Sequence, residues 1–340
     1  MKTRSAVITK AGKIGQNSLE IKEIELPEIK ENELLLKVNV CGVCRTDLHI
    51  IEGDLGSGVG GIVPGHEIVG TVAKAGKEAK NVAAGDRVGL AWLYSSCGSC
   101  EYCISGRENL CKNKEFTGFS RNGGYSEYVI ADSRFIFRLP KGLDDEEIAP
   151  LLCSGAIGYR SFKLANASPE STIAMFGFGG SAHLTLQLAK KLGHKVVVVS
   201  RNVEHIRLAK ELGADFTFSP KQGDIYSNLA DKDIENAIVF APSSVPIMNA
   251  LGIIKAGGRV VVSGIHVDGK IEIDYDSQLF HEKMLLSVES YTRQDMTEYL
   301  KLATNLGIKP VYKSIKLEDI NSALERLKKS EINGVEVIKF

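Results

Sequence analysis

Apolar and polar residues follow two different patterns along the chain. Up to about residue 145, short apolar runs alternate with glycine-rich stretches, which is typical of a β-rich segment. Beyond about residue 150, short apolar runs alternate with segments whose apolar residues recur at helical spacing. The predicted strands are 34–40, 67–73 and 86–91 in the first segment, and 173–176, 195–200, 237–241 and 259–263 in the second.

Helices are predicted between the strands of the second segment, over 181–192, 203–212 and 245–254. Gly213 stands where a glycine commonly follows the end of a helix, because the missing Cβ permits a left-handed conformation. This alternation of strands and helices predicts a doubly wound parallel sheet with helices on both of its faces.

The last part of the chain returns to a mixed pattern. Helices are predicted over 295–305 and 318–329, and a final strand is predicted over 335–339. This tail is too short to build a core of its own, so we expect it to rejoin the first segment. The prediction is an α/β chain with two domains. They are a β-rich domain of residues 1–152 and 287–340, and a doubly wound domain of residues 153–286.

Composition and charge count against several classes of protein. Of the 340 residues, 44% are apolar and 25% are charged, as in ordinary globular proteins. The 42 basic residues balance the 42 acidic ones, so net charge provides no attraction to nucleic acid or to an anionic membrane. The sequence has no apolar run of about 18 residues, and its beginning lacks the apolar stretch of a secretory signal. We expect a cytoplasmic protein without nucleic-acid or membrane partners.

The seven cysteines are odd in number and clustered, which favours metal binding over disulfides in a reducing compartment. Four of them follow the pattern Cys97-x2-Cys100-x2-Cys103-x7-Cys111. Four thiolates close a tetrahedral shell around zinc and leave no position for a substrate, so the predicted site is structural. The spacing also resembles part of an iron–sulfur motif, which is the weaker interpretation, and four merely buried cysteines are the remaining alternative.

A second group of potential metal ligands is spread along the first half of the chain. Cys41-x2-Cys44 precedes His66-Glu67, and Cys153 stands alone. Considered separately, the two cysteines would form a two-thiolate clip, and a single histidine is more often an ordinary core or surface residue. Together, one of these thiolates, His66 and Cys153 make the open three-ligand set of a catalytic zinc, whose fourth position is left for water or an alcohol.

These motifs resemble those of the zinc-dependent medium-chain alcohol dehydrogenases, over essentially the whole chain. The resemblance implies a GroES-like catalytic domain, a Rossmann cofactor domain, two zinc ions per chain and a homodimer or homotetramer. The family's zinc-binding cysteine stands two residues before a Ser or Thr, which implies that Cys44 is the ligand and Cys41 a bystander. The motifs that carry the resemblance are Gly42-Val-Cys44-Arg-Thr46-Asp47-Leu-His49, Gly65-His66-Glu67, the four-cysteine loop and Leu151-Leu-Cys153-Ser-Gly155.

The resemblance also implies roles for the residues around the catalytic zinc. Thr46 would hydrogen-bond the alcohol oxygen, and His49 would exchange the proton with solvent through the cofactor ribose. Asp47 would hold His66 in place, as metal-bound histidines usually require. Glu67 would lie behind the zinc and enter its coordination shell when water exchanges.

Two further roles concern the cofactor and the substrate. Arg45 would reach the cofactor pyrophosphate. Trp92, the only tryptophan, falls where such proteins line the substrate pocket, with ordinary core packing as the alternative. Together with Phe116 and Phe119 it favours an apolar pocket for aliphatic or aromatic primary alcohols and their aldehydes.

A glycine-rich turn, Gly177-Phe-Gly179-Gly180-Ser181-Ala182, follows a predicted strand and opens a predicted helix. This is the context that a dinucleotide-binding fingerprint requires. Gly177 makes the tight turn, Gly179 lets the backbone approach the pyrophosphate, and Ala182 is small enough to replace the third glycine. The helix N-terminus at Gly180 and Ser181 supplies N–H donors for the phosphates.

The next predicted strand ends at Ser200-Arg201, where an NAD site would place an Asp or Glu for the ribose 2′-hydroxyl. A hydroxyl followed by a guanidinium suits a 2′-phosphate instead, so NADP is predicted over NAD. The alternative is that Arg201 is a solvated loop residue and that the enzyme uses NAD or either cofactor. Many family members carry an arginine after the glycine equivalent to Gly334, where this chain has Val335. Arg293 is a candidate to replace that arginine beside the cofactor. The equal alternative is that Arg293 only begins a surface helix.

The predicted activity is hydride transfer between a primary or secondary alcohol, or its carbonyl product, and NADP(H) or NAD(H). Zinc would act as the Lewis acid, and Thr46 and His49 would carry the proton. The nearest alternative is a polyol or sugar dehydrogenase of the same superfamily. Zinc-free quinone reductases lack the metal ligands. A zinc-stabilised binding or regulatory protein without turnover is disfavoured because the ligand and relay residues are intact.

Overall fold

The computed structural model describes residues 1–15, 17–56 and 59–340. Its strands are β1 (Lys2–Ile8), β2 (Leu19–Glu25), β3 (Glu33–Val43), β4 (Glu67–Ala75), β5 (Arg87–Leu90), β6 (Leu93–Ser95), β7 (Glu115–Phe116), β8 (Tyr128–Asp132), β9 (Ile136–Arg138), β10 (Thr172–Phe176), β11 (Lys195–Val199), β12 (Phe216–Phe218), β13 (Ile234–Val239), β14 (Arg259–Val262), β15 (Met284–Ser287), β16 (Tyr312–Ile315) and β17 (Val335–Lys339).

The helices vary in length from short turns to three or four turns. They are α1 (Arg45–Glu52), α2 (Glu101–Ile104), α3 (Asp145–Ile148), α4 (Ser154–Ala165), α5 (Gly180–Lys191), α6 (Val203–Glu211), α7 (Ile225–Leu229), α8 (Ser244–Ile253), α9 (Arg293–Leu306) and α10 (Ile320–Lys328). Short 3-10 turns cover Glu108–Leu110, Ala149–Leu152, Pro220–Gln222, Ala230–Lys232 and Leu317–Asp319, and a π-helical turn covers Tyr275–Leu279. None of the helices in the described ranges combines the length and the apolar character needed to cross a bilayer.

The described residues form two compact units, each with its own sheet. The first unit comprises Met1–Cys153, Thr292–Thr304 and Pro310–Phe340, and the second comprises Ser154–Tyr291 and Asn305–Lys309. The first unit is β-rich and the second alternates strands with helices. The predicted α/β class is therefore confirmed.

The sheet of the first unit is built around β3. In the described part of the chain its strand order is β16-β17-β3-β4-β5-β9, with β8 also pairing with β3. The last strand of the chain, β17, pairs antiparallel with the end of β3, from Val40 to Val43. The C-terminal tail thus completes a sheet that begins near the N-terminus, and it does so next to the residues that precede Cys44.

The sheet of the second unit is parallel throughout its described pairs, in the order β12-β11-β10-β13-β14-β15. Counted along the chain this is the order 3-2-1-4-5-6 of dinucleotide-binding folds. All five residues of β10 are buried, as are Val196–Val199 of β11. Such continuous apolar runs occur where helices cover both faces of a sheet, as the sequence pattern predicts.

Two helices that matter for the site do not stand out from the sequence pattern. Helix α1 is only eight residues long, which is too short for helical periodicity to be distinctive. Helix α4 contains Gly155 and Gly158, which lower helix propensity. The structure explains Gly158, because a Cβ there would overlap the Thr185 hydroxyl of α5. Close packing of α4 against α5 therefore outweighs local propensity.

Candidate active site

The pairing of β3 with β4 determines where the second group of predicted ligands lies. Gly42 of β3 stands opposite Glu67 of β4. Cys44, just after β3, and His66, just before β4, therefore lie at the same end of the sheet. A Cβ at Gly42 would overlap the Glu67 carboxylate, so a glycine leaves room for that side chain.

Cys44, His66, Glu67 and Cys153 form a compact group. One potential ligand atom from each residue lies within 4.8 Å of those of the other three. Cys153 reaches the group because it directly follows the 3-10 turn Ala149–Leu152, which packs against β4. Cys41 is fully buried in β3 but is not part of this group.

The Asp47 carboxylate connects the residues of this group to one another. Its Oδ1 accepts hydrogen bonds from the Gly65 amide at 3.2 Å and pairs with Nδ1 of His66 at 3.1 Å. Its Oδ2 accepts from the Cys44 amide at 2.9 Å and from the Tyr125 hydroxyl at 2.7 Å. Because Asp47 is fully buried, these contacts replace the water that the carboxylate loses on folding.

The donor set fits a metal ion of the zinc type. With Nδ1 of His66 paired to Asp47, the other ring nitrogen, Nε2, is buried and has no hydrogen-bonding partner among the described residues. An imidazole nitrogen in this position beside two cysteine sulfurs is a ligand arrangement that zinc prefers. Three such ligands leave a fourth position open, unlike a closed structural site.

The ionisable side chains of this group shift one another's pKa values. A hydrogen bond from the Cys153 thiol lowers the pKa of Cys44 well below its usual value, and His66 adds to the effect. The same hydrogen bond, together with burial, raises the pKa of Cys153. Burial lowers the pKa of His66, but the negative charges of Asp47 and Cys44 outweigh it and raise the net pKa. A metal cation would compete for the same ligand atoms, since it binds thiolate and neutral imidazole.

The four remaining predicted ligands also come together. The Sγ–Sγ distances are 3.8 Å for Cys97–Cys103, 3.6 Å for Cys100–Cys103 and 3.5 Å for Cys97–Cys111. Zn–S bonds of about 2.3 Å place the corners of a tetrahedron about 3.8 Å apart, so these separations match a closed four-thiolate shell. Amides of Ser99 and Cys100 at the start of α2 lower the pKa of Cys97 to about 6. These amides thus favour the thiolate form of Cys97, which is the form that a metal binds.

This four-cysteine loop is held by an ion pair that the sequence pattern does not reveal. Glu108, inside the loop and almost fully buried, accepts from the Arg293 amide at 2.9 Å and from Arg293 Nε at 3.2 Å. The Arg293 guanidinium also donates to the Arg134 carbonyl at 3.2 Å and lies 4.7 Å from the centre of the Phe135 ring. Arg293 begins α9, which was the second of its two expected roles. Its contacts in the structure are with Glu108 of the loop and with the segment at Arg134 and Phe135.

Helix α1 presents the residues that the resemblance assigns to proton and cofactor contacts. Cys44 caps the helix, and Thr46, in the first turn, is half-buried. His49, one turn further, pairs through Nδ1 with Asp54 Oδ2 at 2.8 Å. Arg45 donates to the Leu327 carbonyl at 3.0 Å, at the C-terminal end of α10, where a positive charge is favourable. The predicted contact of Arg45 with a pyrophosphate stays a prediction.

Trp92 lies beside the metal-ligand group. Its ring meets the His66 ring edge-on with centroids 5.0 Å apart, and stacks on Phe116 at 4.6 Å. The Phe119 ring lies 6.3 Å from the Trp92 ring and 6.5 Å from the Phe116 ring, centre to centre. The three aromatic rings that the sequence analysis groups together therefore form a continuous apolar surface next to His66.

The glycine-rich turn has the predicted form in the second unit. Gly177 follows β10 with a φ of +87°, and a Cβ there would come within 2.9 Å of the Ala241 amide nitrogen. Gly179 precedes α5, which begins at Gly180, with Ser181 and the fully buried Ala182 following in its first turn. His183, missed in the sequence analysis, pairs through Nδ1 with the Gly179 carbonyl at 3.2 Å. Burial lowers the pKa of His183 to about 4, so this contact persists without a charge at neutral pH.

The two predicted nucleotide-binding residues in the turn after β11 differ in their exposure to solvent. The Ser200 hydroxyl is buried and accepts from the Asn202 amide at 3.3 Å. Asn202 caps α6 by accepting from the Glu204 amide at 2.8 Å. Arg201, between them, is exposed. The Arg201 side chain is thus exposed on a turn whose backbone is fixed by the hydrogen bonds of Ser200 and Asn202.

Comparisons with known proteins agree with this geometry. A family model described as the alcohol dehydrogenase GroES-like domain matches residues 30–141, and one described as zinc-binding dehydrogenase matches residues 180–305. An alcohol dehydrogenase of Geobacillus stearothermophilus is 39% identical over 329 residues, which cover 96% of this chain and 96% of that protein.

Solved structures show the same architecture. Acetophenone reductase of Geotrichum candidum, in complex with NAD, has a TM-score of 0.89 and 28% identity, over 100% of this chain and 97% of that one. A protein of Sinorhizobium meliloti bound to NADP has a TM-score of 0.88 and 27% identity, over 100% of both chains.

The chain belongs to the zinc-dependent medium-chain alcohol dehydrogenase family. It is an oxidoreductase, a zinc-dependent alcohol dehydrogenase with small-molecule alcohols or aldehydes as substrates. The family, fold and enzyme class predicted from the sequence are confirmed.

Several contributors to the site were not found by sequence reasoning. Tyr125 is 78 residues from Asp47 along the chain, and Arg293 is 185 residues from Glu108. No spacing rule connects residues this far apart, because strand register and loop packing bring them together. The Gly123-Gly124 pair just before Tyr125 marks a tight turn, but it carries no information about what the hydroxyl contacts.

We expect Tyr125→Phe to weaken zinc retention at the Cys44–His66–Cys153 group. The change removes only the hydroxyl that donates to Asp47, so the carboxylate that orients His66 loses one of its fixed contacts. Loss of such a supporting contact typically costs roughly 10-fold in metal affinity. The measurement is the rate at which zinc transfers from the protein to a chromogenic chelator.

Tyr299→Phe is the matched control, because it removes an equally buried tyrosine hydroxyl from α9, which contributes no residue to the group. Its zinc transfer should follow the wild-type rate. Equal rates for Tyr125→Phe and wild type would show that Asp47 holds His66 without help from the tyrosine.

Proposed function

We propose that Cys44, His66 and Cys153 hold the zinc ion at which this alcohol dehydrogenase binds its alcohol. The observation that carries the assignment is the buried Nε2 atom of His66, which has no hydrogen-bonding partner among the described residues and lies beside two sulfurs. When bound, zinc supplies Lewis-acid chemistry that makes the alcohol hydroxyl more acidic. Glu67 belongs to the same group and is positioned to neutralise part of the ion's charge.

The remaining residues orient the substrate and move its proton. Thr46, in the first turn of α1, hydrogen-bonds the alcohol oxygen, and His49 passes the proton on to solvent. Asp47 keeps the His66 ring in position through Nδ1, so that Nε2 points to the metal. Trp92 and the phenylalanines stacked with it supply an apolar surface for the carbon skeleton of a primary or secondary alcohol.

The four-cysteine loop binds a second, structural zinc ion. Its thiolates already have near-tetrahedral separations, and a closed shell leaves no position for a substrate. A chain with both sites filled holds two zinc ions.

The cofactor is NADP in preference to NAD. The glycine-rich turn and the N-terminus of α5, from Gly177 to Ala182, bind the pyrophosphate. The turn after β11 lacks the acid that would bind a free ribose 2′-hydroxyl, and instead offers the Ser200 hydroxyl and the exposed Arg201 guanidinium. One solved relative holds NAD and another holds NADP, so membership of the family does not decide which cofactor is preferred. The preference is therefore inferred from Ser200 and Arg201.

The protein assembles as a homo-oligomer through the outer edge of the second unit's sheet. Strand β15 ends that sheet and, within the described residues, pairs with β14 alone. Met284 at its start is 37% exposed, and Leu285 and Leu286 are half-buried. An edge strand with exposed apolar side chains is a template for pairing with a second copy of the same strand.

Cys44→Ala should retain one zinc per chain and lose alcohol oxidation, because the open group loses a thiolate ligand while the four-cysteine loop is untouched. Cys41→Ala is the matched control, since Cys41 is buried three residues earlier but lies outside the group. It should keep two zinc ions and its turnover. Metal analysis by atomic emission, combined with absorbance of the reduced nicotinamide, measures both properties.

The metal assignment is wrong if Cys44→Ala keeps two zinc ions and oxidises alcohols, or if Cys41→Ala is the variant that loses an ion. Chelation of the wild-type protein provides the second readout. Turnover should fall when the zinc of the Cys44–His66–Cys153 group is removed and return on its replacement.

Arg201→Ala should lower kcat/KM for NADPH by about 10-fold or more and leave the value for NADH nearly unchanged. A charge-assisted hydrogen bond is worth about 1.5–3 kcal/mol, and only NADPH carries the phosphate that makes it. Arg207→Ala is the control, because Arg207 is an exposed arginine of α6 that pairs with Glu204 and Glu211. A wild-type preference of tenfold or more for NAD(H), or an equal loss with both cofactors, would contradict the assignment.

Wild-type protein should sediment as a dimer or tetramer, and Met284→Lys should shift it toward the monomer, because a lysine on an edge strand opposes pairing. Val245→Lys places the same charge at another exposed apolar position of the second unit and should not change the mass. Sedimentation equilibrium measures this difference. An unchanged oligomer in the Met284 variant would place the interface elsewhere.

A further inference from the structure

The proton route proposed above contains a carboxylate to which neither the sequence motifs nor the comparisons assign a role. Nδ1 of His49 lies 2.8 Å from Oδ2 of Asp54. The His49 side chain is 10% exposed and that of Asp54 is 32% exposed, so the pair leads from a nearly buried ring to a partly solvated carboxylate. This arrangement lies at the C-terminal end of α1, away from the zinc ligands at its beginning.

The end of α1 brings Asp54 back onto His49 through its backbone geometry. Gly53 follows the helix with a φ of +86°, a left-handed conformation that glycine adopts without a steric penalty. The reversed chain allows the amides of Gly53 and Asp54 to donate to the His49 carbonyl, at 3.1 Å and 3.0 Å. Asp54 therefore contacts His49 through both its backbone and its side chain, which fixes the carboxylate relative to the ring.

We propose that Asp54 is the positioning residue of the proton relay, an inference that rests on the proposed role of His49. An ionised carboxylate only accepts hydrogen bonds, so Nδ1 of His49 must carry the hydrogen in this pair. In a neutral imidazole the other nitrogen, Nε2, is then the acceptor. Asp54 thus selects the tautomer in which Nε2 takes up the proton.

The proton balance of the relay follows from this tautomer. The bound cofactor would accept the hydride of the alcohol, and Thr46 would pass the hydroxyl proton toward His49. The proton adds to Nε2, and the resulting imidazolium is stabilised by the Asp54 carboxylate until Nε2 releases it to water. The Nδ1 proton stays in place throughout, and no bond to Asp54 forms or breaks.

The first unit contains a second pair of a histidine Nδ1 with a carboxylate, and this pair has a different role. Nδ1 of His66 pairs with Asp47 at 3.1 Å, and both side chains are fully buried. There the carboxylate orients a ring nitrogen toward a metal, and the absence of solvent suits a permanent ligand. The partly exposed Asp54 suits a ring that must gain and lose a proton in every turnover.

A double-mutant cycle tests the proposal with the zinc-loaded enzyme and NADP. We expect His49→Gln to lower kcat for alcohol oxidation by roughly 100-fold, the lower range for a positioned proton-transfer group. Asp54→Asn, which keeps the size of the side chain but not its charge, should lower kcat by roughly 10-fold, with KM for the alcohol little changed. The double variant should be no slower than His49→Gln alone, because Asp54 acts only through His49.

Glu52→Gln is the matched control, because Glu52 is the last residue of α1 and pairs with Lys328 rather than with His49. It should keep the wild-type kcat. Thermal unfolding of each variant, followed by circular dichroism, separates loss of the helix end from loss of the relay. Asp54→Ser provides a second deletion of the carboxylate and should match Asp54→Asn.

The possible outcomes distinguish an error in the proposed role of His49 from an error in the proposed role of Asp54. If His49→Gln leaves kcat unchanged, the relay itself is wrong and Asp54 has nothing to position. If His49→Gln slows turnover but neither Asp54 variant does, the relay stands and the role of Asp54 is overturned. Losses that multiply in the double variant would also overturn it, since Asp54 would then act independently of His49.

Discussion

The buried carboxylate of Asp47 is the interaction on which the rest of the site depends. A charge without water is stable only when hydrogen bonds replace its hydration. Here those bonds come from the start of α1, the residues before β4 and the Tyr125 hydroxyl. The contacts that offset the cost of burying Asp47 therefore also determine the separation of Cys44 and His66. Preorganisation of the ligands and stability of this corner of the sheet have one physical cause.

The two cysteine-containing groups differ in how the chain supports them. The four-cysteine loop is nearly self-contained, because short spacings let one segment supply every thiolate. Its attachment to the rest of the first unit relies on an ion pair between the buried Glu108 carboxylate and the partly exposed Arg293 guanidinium, with additional backbone contacts. The open group instead draws on three separate parts of the chain. A closed local shell suits structural stabilisation, whereas ligands from several elements leave space for a substrate.

The sequence is informative wherever the chemistry is local. The apolar run 195–200 and the glycine turn from Gly177 to Ala182 predict β11 and the start of α5 nearly to the residue. Helices α1 and α4 are not evident, because α1 is short and α4 is stabilised by close packing at Gly158 rather than by propensity. Tyr125 and Glu108 are missed for the related reason that their partners lie far along the chain. Asp54 is close to His49 in sequence, yet only the left-handed turn at Gly53 makes them partners.

By itself, the sequence determined the order of strands and helices, the alternation that defines the doubly wound unit, and the kinds of atom available to bind metal and phosphate. These depend on periodicity and on residue type, which are properties of short segments. The tertiary structure decided which of those atoms meet. Cys41 and Cys44 are equivalent as residue types, but the register that sets Gly42 opposite Glu67 brings only Cys44 to His66 and Cys153. Strand register results from contacts along the whole β3–β4 pair, so no local pattern contains it.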